Sequence, residues 1–212
     1  MKGKSGPEPR KLPQQARSRE MVEIILAATA RVLVREGYDG MTTNRVAEVA
    51  GVSVGSIYQY FPNKESLLAT LMRRHLDEML AVFEEKFSEL AEMEVEDAVR
   101  ALIRAAVQAH AVEPRLHRAF VEQVPLVGGL GMVREVEARI EERLREYLED
   151  RREQLAPRDL HLAAFLVYRV VESATHAAGV SRPGYFEDGR LADELTTLVL
   201  GYLVPGRVHQ AL

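Results

Sequence analysis

Apolar residues recur at intervals of three and four along most of the chain, and this spacing predicts helices. The first such segment covers residues 18–35, and Gly37 follows it as a stop signal. No segment alternates apolar and polar residues as a half-buried strand would. We therefore expect an all-α protein. Further helices are predicted at residues 63–90, 94–111, 114–124, 133–155, 159–178 and 188–203.

One stretch of shorter elements lies between the first two long helices. We expect Thr43 to cap a short helix that ends at Gly51, and Ser53 to cap a second short helix. Pro62 then interrupts the chain, and Asn63 is placed to cap the long helix that follows. Two short helices joined by a tight turn have the proportions of a helix-turn-helix, in which the second helix enters the major groove of DNA.

The amino-acid composition excludes several classes of protein. The chain has 212 residues, of which 47% are hydrophobic, so it can bury a core. It contains no cysteine, which excludes a disulfide scaffold, a thiolate metal site and a cysteine nucleophile. No apolar run has the roughly 20 residues that span a bilayer, and the basic N-terminal segment lacks the apolar centre of a secretory signal. We expect a cytoplasmic protein with no membrane partner.

Charge is divided unevenly along the chain. Residues 1–64 hold ten Lys and Arg against six Asp and Glu, a net charge of +4. The rest of the chain carries 18 basic and 26 acidic residues, a net charge of −8. A basic end on an acidic protein suits a polyanionic partner. Residues 1–17 are rich in Pro, Gly and basic residues and predict a flexible basic arm, which could contact DNA or remain solvated.

The segment from residue 37 to 68 resembles the DNA-binding domain of TetR-family transcriptional regulators. The resemblance implies an N-terminal three-helix domain with a helix-turn-helix at residues 18–64. A larger helical domain for ligand binding and dimerisation would follow at residues 65–212. The matching residues are Gly37-Tyr38, Thr42, Thr43, Ala50-Gly51-Val52-Ser53, Gly55, Tyr58, Tyr60-Phe61 and Lys64.

This resemblance also implies a function and its partners. The protein would be a repressor that binds a palindromic operator in double-stranded DNA as a homodimer, and a small-molecule effector would release it. The long helix from Asn63 would connect the DNA-binding part to the effector part. A small tilt of that helix would then spoil the spacing of about 34–36 Å between the two recognition helices.

The family's pattern assigns individual residues to DNA. Those expected on phosphates are Thr43, Ser53, Ser56, Tyr58, Tyr60 and Lys64. Those expected at the groove floor are Asn44, Val54, Gly55 and Gln59, and the amides of Asn44 and Gln59 could pair with adenine. The aromatic residues Tyr58, Tyr60 and Phe61 could instead close the small core of this domain.

A set of apolar, aromatic and polar residues on the long helices predicts an effector cavity, and its composition favours an apolar or aromatic ligand. Most of these residues could equally be plain core, and the histidines could be core, rim or ligand-binding residues. No cofactor is implied, and the histidine and carboxylate spacings suggest no metal site. The set is Met72, Met79, Phe83, His110, His117, Phe120, Gln123, Phe165, Tyr168, Glu172 and His176.

The last two long helices are the predicted dimer interface, because each carries an apolar face. These faces could instead cover the core of the protomer itself. On the first helix the face is Leu160, Ala163, Ala164, Val167, Val171, Ala174, Thr175 and Ala178. On the second it is Leu191, Leu195, Leu198, Val199, Tyr202 and Leu203.

Two other classes of protein remain as alternatives at this point. An all-α enzyme would need a nucleophile motif, a phosphate loop, a metal-binding HExxH or paired carboxylates on an apolar face, and the sequence contains none of these. We therefore do not expect an enzyme. A structural or nucleoid-type helical protein would bind DNA without regard to sequence.

Overall fold

The computed structural model describes residues 11–111, 116, 119, 120, 130–204 and 206. This part of the chain contains helices and no strand, so the all-α prediction is confirmed. Short 3-10 turns occur at Leu90–Glu92, Arg152–Gln154 and Pro183–Phe186. The α-helices described are α1 (Lys11–Gly40), α2 (Thr43–Ala50), α3 (Val54–Tyr58), α4 (Lys64–Glu89), α5 (Val95–Ala111), α6 (Leu130–Glu149), α7 (Leu160–Ser181) and α8 (Arg190–Leu203).

The chain divides into two compact units, residues 1–71 and 72–212, and the boundary falls within α4. In the first unit, α2 packs against α1 and against α3. Burial of large apolar side chains holds these short elements together, since helices this short are not stable alone. The largest fully buried side chains among the described residues of this unit are Ile25, Leu33, Met41, Ile57, Leu67 and Leu68.

Helix α1 begins earlier than the sequence pattern predicts. It starts at Lys11, so residues 11–17 of the predicted arm have helical backbone, while residues 1–10 lie outside the described part. Pro13 does not prevent this, because a proline in the first turn removes an N–H that has no helical acceptor. At the other end Gly37 has φ 69° and ψ −177°, which breaks the helix where predicted.

A glycine turn sets the direction of α3. Gly51 ends α2 with φ 68° and ψ 30°, a left-handed conformation that strains any residue with a Cβ. The N–H of the next residue, Val52, then donates to the carbonyl of Ala47 at 3.0 Å. Ile57 is fully buried and attaches α3 to the unit. The turn therefore fixes both the path of the chain and the side of α3 that faces the core.

Side-chain caps begin the helices on either side of this turn. The cap of α2 is Thr42, whose Oγ1 accepts from the Arg45 N–H at 3.1 Å, so the prediction of Thr43 is wrong by one residue. Thr42 has the extended backbone that a cap requires. Ser53 caps α3 through the Ser56 N–H at 3.1 Å, and Asn63 caps α4 through the Ser66 N–H at 2.8 Å. Both of these caps are confirmed.

The second unit encloses a larger core. Helix α5 packs against α7 and α8, and α6 packs against α7. Helix α7 begins after Asp159, which caps it by accepting from the Leu162 N–H at 3.0 Å. Of the predicted helix at residues 114–124, the described residues Leu116, Ala119 and Phe120 are helical. The core includes Phe83, Phe87, Leu90, Ile103, Leu144, Leu148, Leu160, Ala163, Val199, Leu200 and Leu203.

Charged residues on α6 connect this helix to the part of α4 that belongs to the second unit. Arg139 Nε donates to Glu84 Oε1 at 2.9 Å, and Arg143 Nε donates to Glu84 Oε2 at 3.1 Å. Arg73 donates to Glu135 at 3.0 Å. These ion pairs link α6 to α4 at the surface of the second unit.

Replacing Gly51 with alanine should destabilise the first unit by about 1–2 kcal/mol, because the added Cβ is strained at positive φ. Urea unfolding monitored by circular dichroism measures this change. The matched control is Gly55→Ala, where the new Cβ would meet only Ser53 Oγ, at an ordinary 3.7 Å. This control should keep or slightly raise stability, since alanine is the better helix former. Equal stability for the two variants would contradict the role assigned to the turn.

Candidate nucleic-acid interface and buried cavity

Helix α3 presents one face to solvent. Ile57 is buried completely, whereas Tyr58 is 54% exposed and Val54 37% exposed. Ser53, Gly55 and Gln59 are also exposed. An exposed valine and an exposed tyrosine on a five-residue helix form a surface that a partner can contact.

Hydroxyl groups join the two short helices along this surface. Thr43 Oγ1 and the Tyr58 phenol oxygen share a hydrogen bond at 3.2 Å, which links α2 to α3. Ser53 Oγ and Ser56 Oγ are 2.9 Å apart. Among the other predicted DNA contacts, Asn44 is exposed and Tyr60 is half-buried. Phe61 is buried, so of the three aromatic residues it is the one that closes the core.

Lys64 is held at the start of α4 by Tyr38. Its Nζ donates to the Tyr38 carbonyl at 3.3 Å and lies 3.9 Å from the centre of the Tyr38 ring. The Tyr38 hydroxyl donates to Glu65 Oε1 at 3.2 Å. Burial, together with Glu65 and Asp39, raises the pKa of Tyr38. The motif contains both Tyr38 and Lys64, but 26 residues separate them, and sequence reasoning did not find this contact.

In the second unit, helices α4 to α7 surround an apolar cavity with a volume of about 60 Å³. Of the residues predicted for an effector site, Phe83, Tyr168 and Glu172 line it. Among the described residues that line the cavity, Glu172 is the only charged one. Sequence reasoning missed the other lining residues, which share helical spacing with the core and carry no separate signal. They are Phe87, Leu102, Ile103, Ala106, Ile140, Leu144, Val167 and Val171.

The remaining candidates for the effector site lie elsewhere. Met72 is buried and Met79 half-buried, and neither lines this cavity. The Phe120 ring lies 5.1 Å from that of His75. Phe165 is 41% exposed and does not line the cavity. His117 and Gln123 lie outside the described residues.

Two histidines and a glutamate meet beside the cavity. His110 Nε2 lies 3.5 Å from Glu172 Oε2, and His176 Nε2 lies 3.2 Å from Glu172 Oε1. His110 Nδ1 is 2.7 Å from the Ala106 carbonyl oxygen. The sequence brings Glu172 and His176 together by their i,i+4 spacing on α7. That spacing was an available signal, whereas the approach of His110 from α5 depends on tertiary packing.

Burial and the glutamate charge act on these groups in opposite directions. Burial lowers the pKa of His110, but the hydrogen bond and charge of Glu172 outweigh it, and the net pKa is raised. For His176 burial dominates and the pKa is lowered. Burial, reinforced by Glu172, strongly raises the pKa of Tyr168, so this phenol stays neutral.

Part of the predicted dimer face is internal. Ten residues of this face are buried within the protomer, so the interface assigned to them is wrong: Leu160, Ala163, Ala164, Val167, Val171, Thr175, Ala178, Leu195, Val199 and Leu203. Small residues such as Ala163 and Ala164 allow close packing against neighbouring helices of the same chain. The apolar residues exposed on α7 and α8 include two of the predicted face, Leu198 and Tyr202, and four others on α7: Leu162, Phe165, Leu166 and Val170.

The two units have the features of a helix-turn-helix protein with a helical C-terminal domain. Residues 25–71 match the family model of bacterial regulatory proteins of the tetR family. Residues 95–203, more than half of the chain, match the model of the tetracyclin repressor-like C-terminal domain. The chain therefore belongs to the TetR family of transcriptional regulators.

Individual relatives match less than half of this chain. The HTH-type transcriptional regulator RutR of Escherichia coli K12 is 33% identical over 99 residues, which cover 45% of this chain and 44% of RutR. A regulator from Haemophilus influenzae is 36% identical over 70 residues, or 33% of this chain and 37% of that protein. The matches thus span less than half the length of these relatives.

Solved structures share the fold over most of the chain. SmeT, the repressor of the Stenotrophomonas maltophilia multidrug efflux pump SmeDEF, has a TM-score of 0.66 at 22% identity, covering 88% of this chain and 92% of SmeT. A transcriptional regulator from Rhodococcus sp. RHA1 has a TM-score of 0.67 at 22% identity, covering 86% of this chain and 97% of that one. Within the described residues no helix is both long and apolar enough to cross a membrane.

Proposed function

We propose that this protein is a ligand-responsive repressor that binds a palindromic operator as a homodimer and leaves it when a small apolar or aromatic effector binds. The observation that carries the proposal is the exposed surface of α3, held by the Gly51 turn and anchored through Ile57. DNA binding is assigned to residues 18–64. Effector binding and dimerisation are assigned to residues 65–212.

The chemistry of this surface suits the major groove. Gly55 and the short side chain of Ser53 let the backbone approach the bases closely. Val54 offers methyl groups to the methyl group of thymine, and the amides of Asn44 and Gln59 can pair with adenine. The hydroxyls near the start of α3 and the Lys64 ammonium would lie on phosphates, which position a protein on the duplex without reading sequence. The phosphate set is Thr43, Ser53, Ser56, Tyr58, Tyr60 and Lys64.

The cavity supports a ligand-responsive mechanism. Its volume of about 60 Å³ is far below the roughly 300 Å³ or more of a typical ligand site, so an effector would have to separate the surrounding helices. Phe83 lines the cavity from α4, and Lys64 begins the same helix. A ligand that binds the expanded state more tightly would favour that state, and α4 would transmit the change to the DNA-binding unit.

The exposed apolar residues of α7 and α8 support a dimer. Leu162, Phe165, Leu166 and Val170 follow helical spacing along α7, and Leu198 and Tyr202 lie on α8. Contiguous exposed apolar side chains at this spacing mark an interaction surface. A second copy of the chain is the proposed partner, because a palindromic operator needs two recognition helices related by twofold symmetry.

The proposed function predicts sequence-specific binding. A duplex selected from genomic or random DNA should bind the purified protein about 10³-fold or more tightly than a scrambled duplex of equal length at the same salt concentration. Fluorescence anisotropy over a range of salt concentrations measures both affinities. Equal affinity for the two duplexes would instead support the nucleoid-type alternative.

Lys64→Ala should weaken binding to the selected and scrambled duplexes alike. Loss of one phosphate contact should reduce the slope of log affinity against log salt concentration by about 1. Lys86→Ala is the matched control, because Lys86 lies near the other end of the same helix and pairs with Glu89. A slope equal to that of the wild type would remove Lys64 from the phosphate contacts.

Phe165→Asp or Leu198→Asp should turn the dimer into a monomer and weaken operator binding, because each buries a charge in the proposed interface. Sedimentation velocity measures the oligomeric state. Val82→Asp is the control, because Val82 is also an exposed apolar residue but belongs to α4 and not to the proposed interface helices. If all three variants sediment like the wild type, the α7–α8 surface is not the interface.

A further inference from the structure

We propose that His110, Glu172 and His176 bind a divalent transition-metal ion such as Zn²⁺. Their ligand atoms, one from each residue, all lie within 4.8 Å of one another. His110 comes from α5, and the other two residues come from successive turns of α7. This inference does not depend on the proposed DNA binding, because it concerns a site in the second unit alone.

The tautomer of His110 is the first argument for a cation. The Ala106 carbonyl can only accept a hydrogen bond, so His110 Nδ1, at 2.7 Å, must carry the proton. In a neutral imidazole this leaves a lone pair on Nε2, which lies 3.5 Å from Glu172 Oε2. A positive charge between these two atoms stabilises their approach, and either a proton or a metal ion can supply it. A carbonyl that fixes the second ring nitrogen is also the usual support for a metal-binding histidine.

The spacing of the ligand atoms is the second argument. Bonds from Zn²⁺ to imidazole nitrogen or carboxylate oxygen are about 2.0–2.1 Å, so the ligands of a tetrahedral ion lie about 3.3–3.4 Å apart. Glu172 Oε2 lies 3.5 Å from His110 Nε2, and Glu172 Oε1 lies 3.2 Å from His176 Nε2. One ligand atom from each of the three residues lies within 4.8 Å of the other two, so the side chains would draw closer together around a bound ion.

The donor types and their surroundings select the class of ion. Two imidazoles and one carboxylate suit Zn²⁺, Co²⁺ or Fe²⁺, whereas Mg²⁺ and Ca²⁺ prefer oxygen ligands throughout. His110 is only 2% exposed, and Glu172 also forms part of the apolar cavity wall. Three protein ligands would leave at least one coordination position for another molecule.

Titration of chelator-treated protein with Co²⁺ tests the site, because bound Co²⁺ absorbs visible light and reports on its coordination. One ion per chain should bind at micromolar concentration, and Zn²⁺ should displace it. Glu172→Gln and His176→Gln should each weaken binding by about 100-fold or more, because loss of a ligand costs at least as much as loss of a residue that only supports one. His161→Gln is the matched control, because His161 is an exposed histidine on the same helix. It should bind Co²⁺ like the wild type.

Circular dichroism establishes that the variants are folded. A second measurement on the wild type keeps the test decisive if they are not: paramagnetic Co²⁺ should selectively broaden the imidazole NMR signals of His110 and His176. Absence of stoichiometric binding by the wild type would overturn the proposal and leave a proton-bridged cluster. So would binding that folded Glu172→Gln and His176→Gln retain, or broadening that centres on His161.

Discussion

The left-handed turn at Gly51 is the constraint on which the candidate DNA-binding surface depends. Helix α3 has only five residues, too few to form a stable helix in isolation. Its direction comes from the turn, its start from the Ser53 cap, and its attachment from one buried side chain, Ile57. Because so little of α3 is buried, nearly all of it is available to a partner. A longer and better buried helix would be more stable but would expose less surface.

Local sequence signals predicted the helices of the first unit and most of the positions at which they begin and end. The glycines at 37 and 51 and the caps Ser53 and Asn63 act on their immediate neighbours, and each has the predicted role. The cap of α2 was misplaced because Thr42 and Thr43 are adjacent and both can cap a helix. Their backbone angles, which the sequence does not specify, decide between them. The early start of α1 was missed because the prolines and glycines before residue 17 suggested an irregular arm.

Contacts between distant residues were beyond the reach of such signals. The Tyr38–Lys64 and His110–Glu172 pairs each join residues on different helices, and only tertiary packing brings them together. The faces of α7 show the same limit. Its small residues suggested a dimer interface, yet they are buried inside the protomer, while the exposed side includes Leu162, Phe165 and Leu166. Periodicity identifies an apolar face but not which neighbour covers it.

The two units offer different kinds of side chains for binding. The first unit offers hydroxyls, amides and a lysine on an exposed surface, which suits a large polyanion. The second unit offers an apolar cavity with a carboxylate and two imidazoles at its edge, which suits a small ligand or an ion. Helix α4 contributes residues to both units and is the chain's own connection between them.

Intermolecular NOEs between the protein and a selected DNA duplex test the central claim most directly. The account predicts NOEs from the Val54 methyl groups and the Gly55 α-protons to base protons in the major groove. NOEs to DNA that arise only from α5 to α8, or a specific complex in which α3 has none, would contradict it.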